Sequence, residues 1–255
     1  MDDRTLSNLP FVERFYRYPV VASTNDTARM MTALPARGIF VIRADCQTAG
    51  RGRSGASYFS GEGGLWVTIL ARLQTLDDHF LHNRSLSLAI AEASESMTGM
   101  PDFSISIKWP NDLYIAGKKL CGILLENHPS AGNMLVLGFG LNVTIATGDF
   151  PADLRGSATS LSIETGKRVS RSGLLEAIIR RYESNLGADS ADMHGAYLRR
   201  LYRRGDRAEA DGREGIVDGV EPDGRLRLAG DQGVHLVNAG HLRFLDAPGR
   251  IPDAS

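Results

Sequence analysis

The chain has little cysteine: only Cys46 and Cys121 occur, each in a strand-like context rather than a spaced framework. That excludes a disulfide-stapled fold and fits a reducing cytoplasm. It also lacks an excess of either charge, with Lys+Arg 29 against Asp+Glu 30 and a formal net charge of −1. No run of like charges occurs, which argues against life on bulk nucleic acid or an anionic membrane, local patches aside. No apolar stretch approaches bilayer-spanning length. The start, Met1-Asp2-Asp3-Arg4, lacks the basic and apolar regions of a secretory signal. There is no G-x-x-x-x-G-K-[ST] loop and no G-x-S-x-G elbow, so P-loop and α/β-hydrolase chemistry has no support. Internal repeats and low-complexity tracts are missing as well.

What is present is an ordinary globular composition, 42% apolar and 23% charged over 255 residues. That length suits one large domain and a small one. The densest signal runs from Asp45 through Gly50-Arg51-Gly52-Arg53-Ser54-Gly55 and Tyr58-Phe59-Ser60 to Gly63-Gly64. Strand-like runs, Ile39–Ile42 and Leu65–Leu70, lead in and out. Glycine at this density costs backbone entropy, and a chain keeps it where backbone passes close to something. Arg51 and Arg53 are the segment's only cations, and their forks suit a phosphate or carboxylate. A solvated surface hairpin is the plainer alternative. Gly50, Gly52 and Gly55 match G-x-G-x-x-G taken literally, but they open no helix, so a dinucleotide fold is not expected.

Along the chain, residues 1–14 read as a loose lead-in and Phe15–Val21 as a strand. Ser23-Thr24-Asn25-Asp26 is a cluster of N-cap residues before Ala28–Met31, fit to cap a helix or to offer N–H groups and hydroxyls to a ligand. Asp77-Asp78-His79-Phe80-Leu81-His82 has no third metal ligand nearby and reads as a solvated loop. A helix is expected from Ser85 to Met97, ending at Gly99. Ser104–Ile107 is a strand, Leu113–Ile115 and Lys118–Leu125 a hairpin about Ala116-Gly117, and Met134–Val143 another strand. The paired Gly138 and Gly140 imply close approach of a backbone or ligand. Leu174–Leu186 is a helix with Ser172 as N-cap, and Met193–Tyr202 a further helix. From Gly205 short alternating strands with Gly, Pro and Asp turns make a small β module that must pack on the larger domain.

Four polar constellations stand on separate elements: Ser23-Thr24-Asn25; Gln47 with Arg51 and Arg53; Lys108 to Asp112 with Lys119; and Asn142. In order along the chain come Gly50-Arg51-Gly52-Arg53, Lys108-Trp109-Pro110-Asn111-Asp112-Leu113-Tyr114, Lys119-Leu120-Cys121-Gly122-Ile123-Leu124 and Gly138-Phe139-Gly140-Leu141-Asn142. With Ser23-Thr24-Asn25 before them and Ala158–Leu161 after, the chain resembles the biotin–protein ligases from about residue 20 to 245.

The resemblance implies an α+β fold: a mixed β-sheet catalytic domain flanked by helices (1–204), a small SH3-like β-barrel (205–247) and a disordered tail (248–255). It implies that biotin and ATP, with Mg²⁺, give biotinyl-5′-AMP and pyrophosphate. The biotinyl group then passes to one lysine of a biotin carboxyl carrier domain. Ser23, Thr24, Asn25 and Gln47 correspond to the biotin cap, and Gly50, Arg51, Gly52 and Arg53 to a loop closing over the adenylate. Lys119, followed by Gly122, corresponds to the lysine at the carboxylate and α-phosphate. Lys108, Asn111, Asp112 and Asn142 fall where nucleotide and metal contacts are expected, with Mg²⁺ held by ATP plus one or two side chains rather than by a protein cage. Two anions must meet here, so cations are required. Lys119, Arg53 and Asp112 are the expected catalytic residues, Asp112 as candidate base or as a structural group.

The chain departs from the family at Ser54, Ala56 and Tyr58, where relatives carry more basic residues and a tryptophan. About twenty residues precede Ser23, too few for a helix-turn-helix domain, so a cytoplasmic form without DNA binding or membrane association is expected. A homodimer is compatible with the family. A lipoate or octanoate ligase and a non-catalytic biotin sensor are the alternatives. Cys121, between apolar neighbours, reads as a buried, inert thiol.

Overall fold

The computed structural model describes residues 6, 9–34, 38–73, 78–128, 133–231 and 233–245; the expected disordered tail lies outside them. Alternating and continuous apolar runs condense into a seven-stranded sheet. Its strands in chain order are β1 (Val12–Val21), β2 (Ile39–Gln47), β3 (Gly64–Arg72), β4 (Ser106–Lys108), β5 (Asp112–Ile115), β6 (Lys118–His128) and β7 (Met134–Asn142). They lie in the order β1-β2-β3-β7-β6-β5-β4, with β1 and β2 parallel and the other neighbours antiparallel. The sheet is thus mixed, as expected. β1 begins three residues ahead of Phe15 and takes in Val12, because its pairing with Ile39 extends the strand into the lead-in.

The helices are α1 (Thr24–Met30), α2 (His79–Thr98), α3 (Leu161–Thr165), α4 (Arg171–Leu186) and α5 (Ser190–Arg199). The odd-numbered side chains of β3 and β7, such as Val67, Ile69, Leu137 and Leu141, join Leu86, Ile90, Leu174 and Ile178 of α2 and α4 in the main core. On the opposite face, Leu70 and Val136 join Ala28 of α1 and Phe40 and Ile42 of β2. Burial on both faces accounts for the unbroken apolar character of these central strands.

Two local expectations are corrected. α2 starts at His79, so His79 and His82 are helical and not in a solvated loop. His82 is buried, its Nδ1 2.5 Å from the Tyr182 hydroxyl of α4. The cap of α4 is Ser170, whose hydroxyl accepts from Gly173 N at 3.2 Å, while Ser172 accepts from buried Arg43 at 2.9 Å. The tight turn at Ala116-Gly117 holds both residues at positive φ (48° and 75°), which closes the β5–β6 hairpin.

The C-terminal part forms a second, antiparallel sheet of β8 (Arg207–Ala210), β9 (Arg213–Val220), β10 (Leu226–Gly230), β11 (Gly233–Val237) and β12 (Arg243–Phe244). Its order is β11-β10-β9-β8-β12, with β11 and β12 as its two edges. The expected small β module is thus a five-stranded antiparallel sheet; among the described residues no closed barrel is seen, and β12, two residues long, pairs with β8. Its inner side chains Val217, Val220, Leu226 and Leu228 share a core with Trp109, Met193 and Tyr197. A five-stranded module buries too little alone, so this shared core holds it in place. Trp109 adds an indole N–H donated to Gly224 O at 2.9 Å. None of the helices among the described residues is long and apolar enough to cross a membrane.

Candidate functional site

Sheet register explains where the cavity lies. Trp66 of β3, Gly140 of β7, Gly122 of β6 and Asp112 of β5 form one row across four strands. The next row carries Thr68, Gly138 and Leu124. Side chains in these rows face away from the main core, and three of the positions are glycine. The sheet is therefore bare there, and other side chains settle onto it. A Cβ on Gly138 would overlap the Asn25 amide, and one on Gly140 would come within 2.5 Å of the Tyr58 ring. Gly122 would meet the same ring at 3.0 Å. The close approach expected at Gly138 and Gly140 is real, but its source is two side chains rather than a backbone. The remaining space is a cavity of about 230 Å³.

One end of the cavity is neutral and hydrogen-bonding. Gln47 Oε1 accepts from the Thr24 backbone N–H at 2.7 Å and the Thr24 hydroxyl at 3.1 Å, and Gln47 Nε2 donates to Ser60 Oγ at 2.9 Å. The first N–H of α1, expected to be open to a ligand, is thus taken by Gln47. The Thr68 hydroxyl donates to Asn25 Oδ1 at 2.6 Å, and Asn25 Nδ2 donates to Glu126 at 2.8 Å. Each amide nitrogen spends one of its two N–H bonds in these contacts. Ser23, Thr24 and Asn25 are all buried.

The other end is cationic. Lys119 Nζ lies 2.7 Å from Asp112 Oδ2 and 5.7 Å from the centre of the Tyr58 ring. Its backbone is held on both sides, donating to Ser157 O at 2.8 Å and accepting from Thr159 N at 2.9 Å. Arg51 grips Asp26 through both terminal nitrogens, at 2.6 and 2.5 Å. These bonds from Arg51 hold the Asp26 carboxyl below its usual range and raise the guanidinium in turn. Asp26 also accepts from Arg29, which pairs with Glu126. Arg53 donates to Gly240 O at 2.9 Å and reaches Asn111 Oδ1 at 3.5 Å. The Asn111 amide in turn donates to Ile123 O. Tyr58 donates to Gly140 O at 2.8 Å, and burial pushes its phenol well above its usual range.

Eleven of the residues singled out from sequence line this one cavity: Ser23, Thr24, Asn25, Gln47, Arg51, Gly52, Arg53, Asn111, Asp112, Lys119 and Gly122. Three do not. Gly50 packs beneath the loop, where a Cβ would strike Tyr58 O and Ser60 Oγ. Asn142 donates to Thr159 O at 2.8 Å and so braces the segment that pairs with Lys119. Lys108 lies over the Tyr114 and Phe244 rings, 5.5 and 5.8 Å from their centres, and burial lowers its pKa. Sequence reasoning missed Thr68, Glu126 and His241. Thr68 is a polar residue inside an apolar strand, and Glu126 ends another apolar run, which are usable signals. His241 comes from the loop between β11 and β12 and offers none. Cys121 is buried, its thiol pushed up by that burial.

Residues 18–142 match the biotin/lipoate A/B protein ligase family. The chain is 34% identical over 171 residues to the bifunctional ligase/repressor BirA of Bacillus spizizenii, covering 64% of this chain and 51% of that protein. It thus spans about half the length of that relative. It is 29% identical to the biotin–[acetyl-CoA-carboxylase] ligase of Paracoccus denitrificans, with 78% and 87% covered. Its fold superposes on the Aquifex aeolicus biotin protein ligase solved with biotin and ATP. There the TM-score is 0.78 and the identity 26%, over 92% of this chain and 100% of that one. Motif order, sheet architecture and these likenesses agree: residues 18–142 form a domain of the biotin/lipoate A/B protein ligase family.

Proposed function

We propose that the protein is a biotin–protein ligase, which activates biotin with ATP as biotinyl-5′-AMP and transfers it to one lysine of a biotin carboxyl carrier domain. The observation that carries this is one cavity joining a neutral hydrogen-bonding end (Thr24, Asn25, Gln47) to a cationic end (Arg51, Arg53, Lys119). A ureido ring has N–H and carbonyl groups that need partners of the first kind. The dithiolane ring of lipoate has none, and would leave the second N–H of the Gln47 and Asn25 amides without a partner. The named relatives are likewise biotin ligases.

In this reading Lys119 stands at the biotin carboxylate and the α-phosphoryl group, as a compact charge that offsets their repulsion. It also stabilises charge building on the phosphoryl oxygens as the carboxylate attacks. Arg51 and Arg53 supply oriented forks from the glycine-rich loop, and the loop shields the labile anhydride from water. Mg²⁺ arrives with the nucleotide. Among the described residues no cluster of three or more acidic, His or Cys side chains is placed to hold an ion. The polyphosphate would hold Mg²⁺ together with one or two side chains, Asp112 among the candidates, and the ion would neutralise its charge. Cys46 and Cys121, both free, suit a reducing cytoplasm.

The test is incubation of the whole chain with biotin, ATP, Mg²⁺ and a carrier domain, following pyrophosphate and the carrier's mass. Pyrophosphate release with a gain of one biotinyl group is expected. Pyrophosphate without mass gain would leave adenylate formation alone supported, and neither product would overturn the reading.

A further inference from the structure

Transfer of an acyl group to a lysine needs a proton acceptor, because a free lysine amine is protonated at neutral pH, with a pKa of about 10.4. The charged or protonatable side chains on the cavity wall are Arg51, Arg53, Asp112, Lys119, Tyr58 and His241. The two guanidiniums cannot take up a proton. Asp112 is 2.7 Å from the Lys119 ammonium, which already occupies its carboxylate. Tyr58 is committed to Gly140 O. His241 is left.

Its position suits the task. Unlike the buried residues on the cavity floor, His241 is exposed and belongs to the β11–β12 loop. That loop is tied to the glycine-rich segment, since Arg53 donates to Gly240 O at 2.9 Å and reaches Asn111 at 3.5 Å. Asn111 directly precedes Asp112. The second sheet thus delivers an imidazole to the cavity mouth through the arginine of the closing loop. Imidazole is the side-chain type suited to proton exchange near neutrality.

We infer that His241 is the general base of the second half-reaction, accepting a proton from the acceptor lysine as it enters the mouth. The assignment rests on the ligase reading above. The imidazole takes one proton from the ε-ammonium, and the freed lone pair attacks the acyl carbon of biotinyl-5′-AMP. The bond from that carbon to the phosphate oxygen breaks, and its electron pair leaves on AMP. The second N–H proton passes to water as the amide forms. His241 has no part in the first half-reaction, where no amine is deprotonated.

The experiment compares the intact protein with His241→Ala and His241→Gln in both half-reactions. Biotin-dependent pyrophosphate exchange is expected to change little. Transfer to the carrier lysine at neutral pH should fall about a hundredfold, the typical contribution of a positioned base. Added imidazole should restore transfer in His241→Ala, and raising the pH should narrow the gap to wild type. Hydroxylamine, already unprotonated at neutral pH, should discharge the adenylate equally fast in all three proteins. Normal transfer by His241→Ala, or equal loss in both half-reactions, would overturn the assignment while leaving the ligase reading intact. Wild-type protein that releases no pyrophosphate would sink that reading and this one with it.

Discussion

Arg51 lays both terminal nitrogens on the carboxylate of Asp26, so the first guanidinium of the glycine-rich loop is held by an acid of α1, one residue beyond Asn25. The loop and the neutral end of the cavity are therefore linked directly. Both side chains are about a third exposed, at 33% and 37%. Pairs of that exposure contribute ~0–1 kcal/mol. Asp26→Asn should accordingly leave global stability unchanged and speed tryptic cleavage after Arg51 by up to about fivefold, the factor that 1 kcal/mol allows. The carboxyl is held below its usual range, so the tether is complete above that range and is lost only as pH falls through the lowered value. The difference between variant and wild type should be the same throughout the neutral range.

Lys119→Ala removes a compact charge without loosening the strand, because the Lys119 backbone is pinned by Ser157 and Thr159. Biotin-dependent pyrophosphate exchange should drop by about a hundred- to a thousandfold, the usual cost of one donor aimed at developing charge. Lys119→Arg keeps the charge but spreads it over a planar fork, and should fall between the two. Near-normal exchange in the alanine variant would remove Lys119 from its role.

The parts legible in the sequence were those encoded locally. Central strands declared themselves as unbroken apolar runs, and the glycine-rich loop as a departure from its surroundings. α2 was read short because its first turns bury polar residues: His82, Asn83, Arg84, Ser85 and Ser87 all face protein rather than water. With no apolar period there, helical spacing shows in the sequence only from Ser85. Gly138 and Gly140 announced a close approach, yet their occupants, Asn25 and Tyr58, lie on distant segments that only the sheet register brings together. His241 was invisible for the same reason: its place at the cavity depends on how a separate sheet packs against Trp109.

His82 makes stability depend on pH in a defined window. Burial lowers its pKa from 6.5 to about 4, so the unfolded chain takes up a proton at this position more readily than the folded one. The stabilising difference is complete above pH 6.5 and is lost progressively as pH falls toward 4. Its full size is at most about 3 kcal/mol. Denaturant unfolding across this range should show a steep acid slope. His82→Gln should flatten the slope, even if it lowers stability at neutral pH. An unchanged slope would mean that His82 protonates freely in the folded protein.

Gly138→Ala should damage the neutral end of the cavity specifically. The added methyl would overlap the Asn25 amide, which is held by Thr68 and Glu126 and has no room to retreat. Overpacking of this kind costs ~1–3 kcal/mol. Because the displaced group is a proposed ligand contact, biotin affinity measured by calorimetry should fall about tenfold or more. Gly148→Ala is the control, since a Cβ there meets nothing within 4 Å. Equal biotin affinity in both variants would show that Asn25 is not needed where the register puts it.

Arg53 joins three parts of the molecule: the glycine-rich loop that carries it, Gly240 of the second sheet's β11–β12 loop, and Asn111 beside Asp112. Removing the side chain severs the loop from both partners but leaves the Lys119–Asp112 pair and the Thr24–Gln47 contacts untouched. Arg53→Gly should therefore still release pyrophosphate while holding the adenylate poorly. The escaping mixed anhydride would acylate any exposed lysine, so biotin should appear on an added bystander protein as well as on the carrier domain. Arg53→Lys keeps a donor for Gly240 O but cannot bridge to Asn111 with a fork, and should leak less than the glycine variant. The decisive quantity is the ratio of bystander to carrier labelling, read by mass spectrometry at matched pyrophosphate release. Should that ratio match wild type in Arg53→Gly, the loop does not close through this residue, and the link between the two sheets serves stability alone.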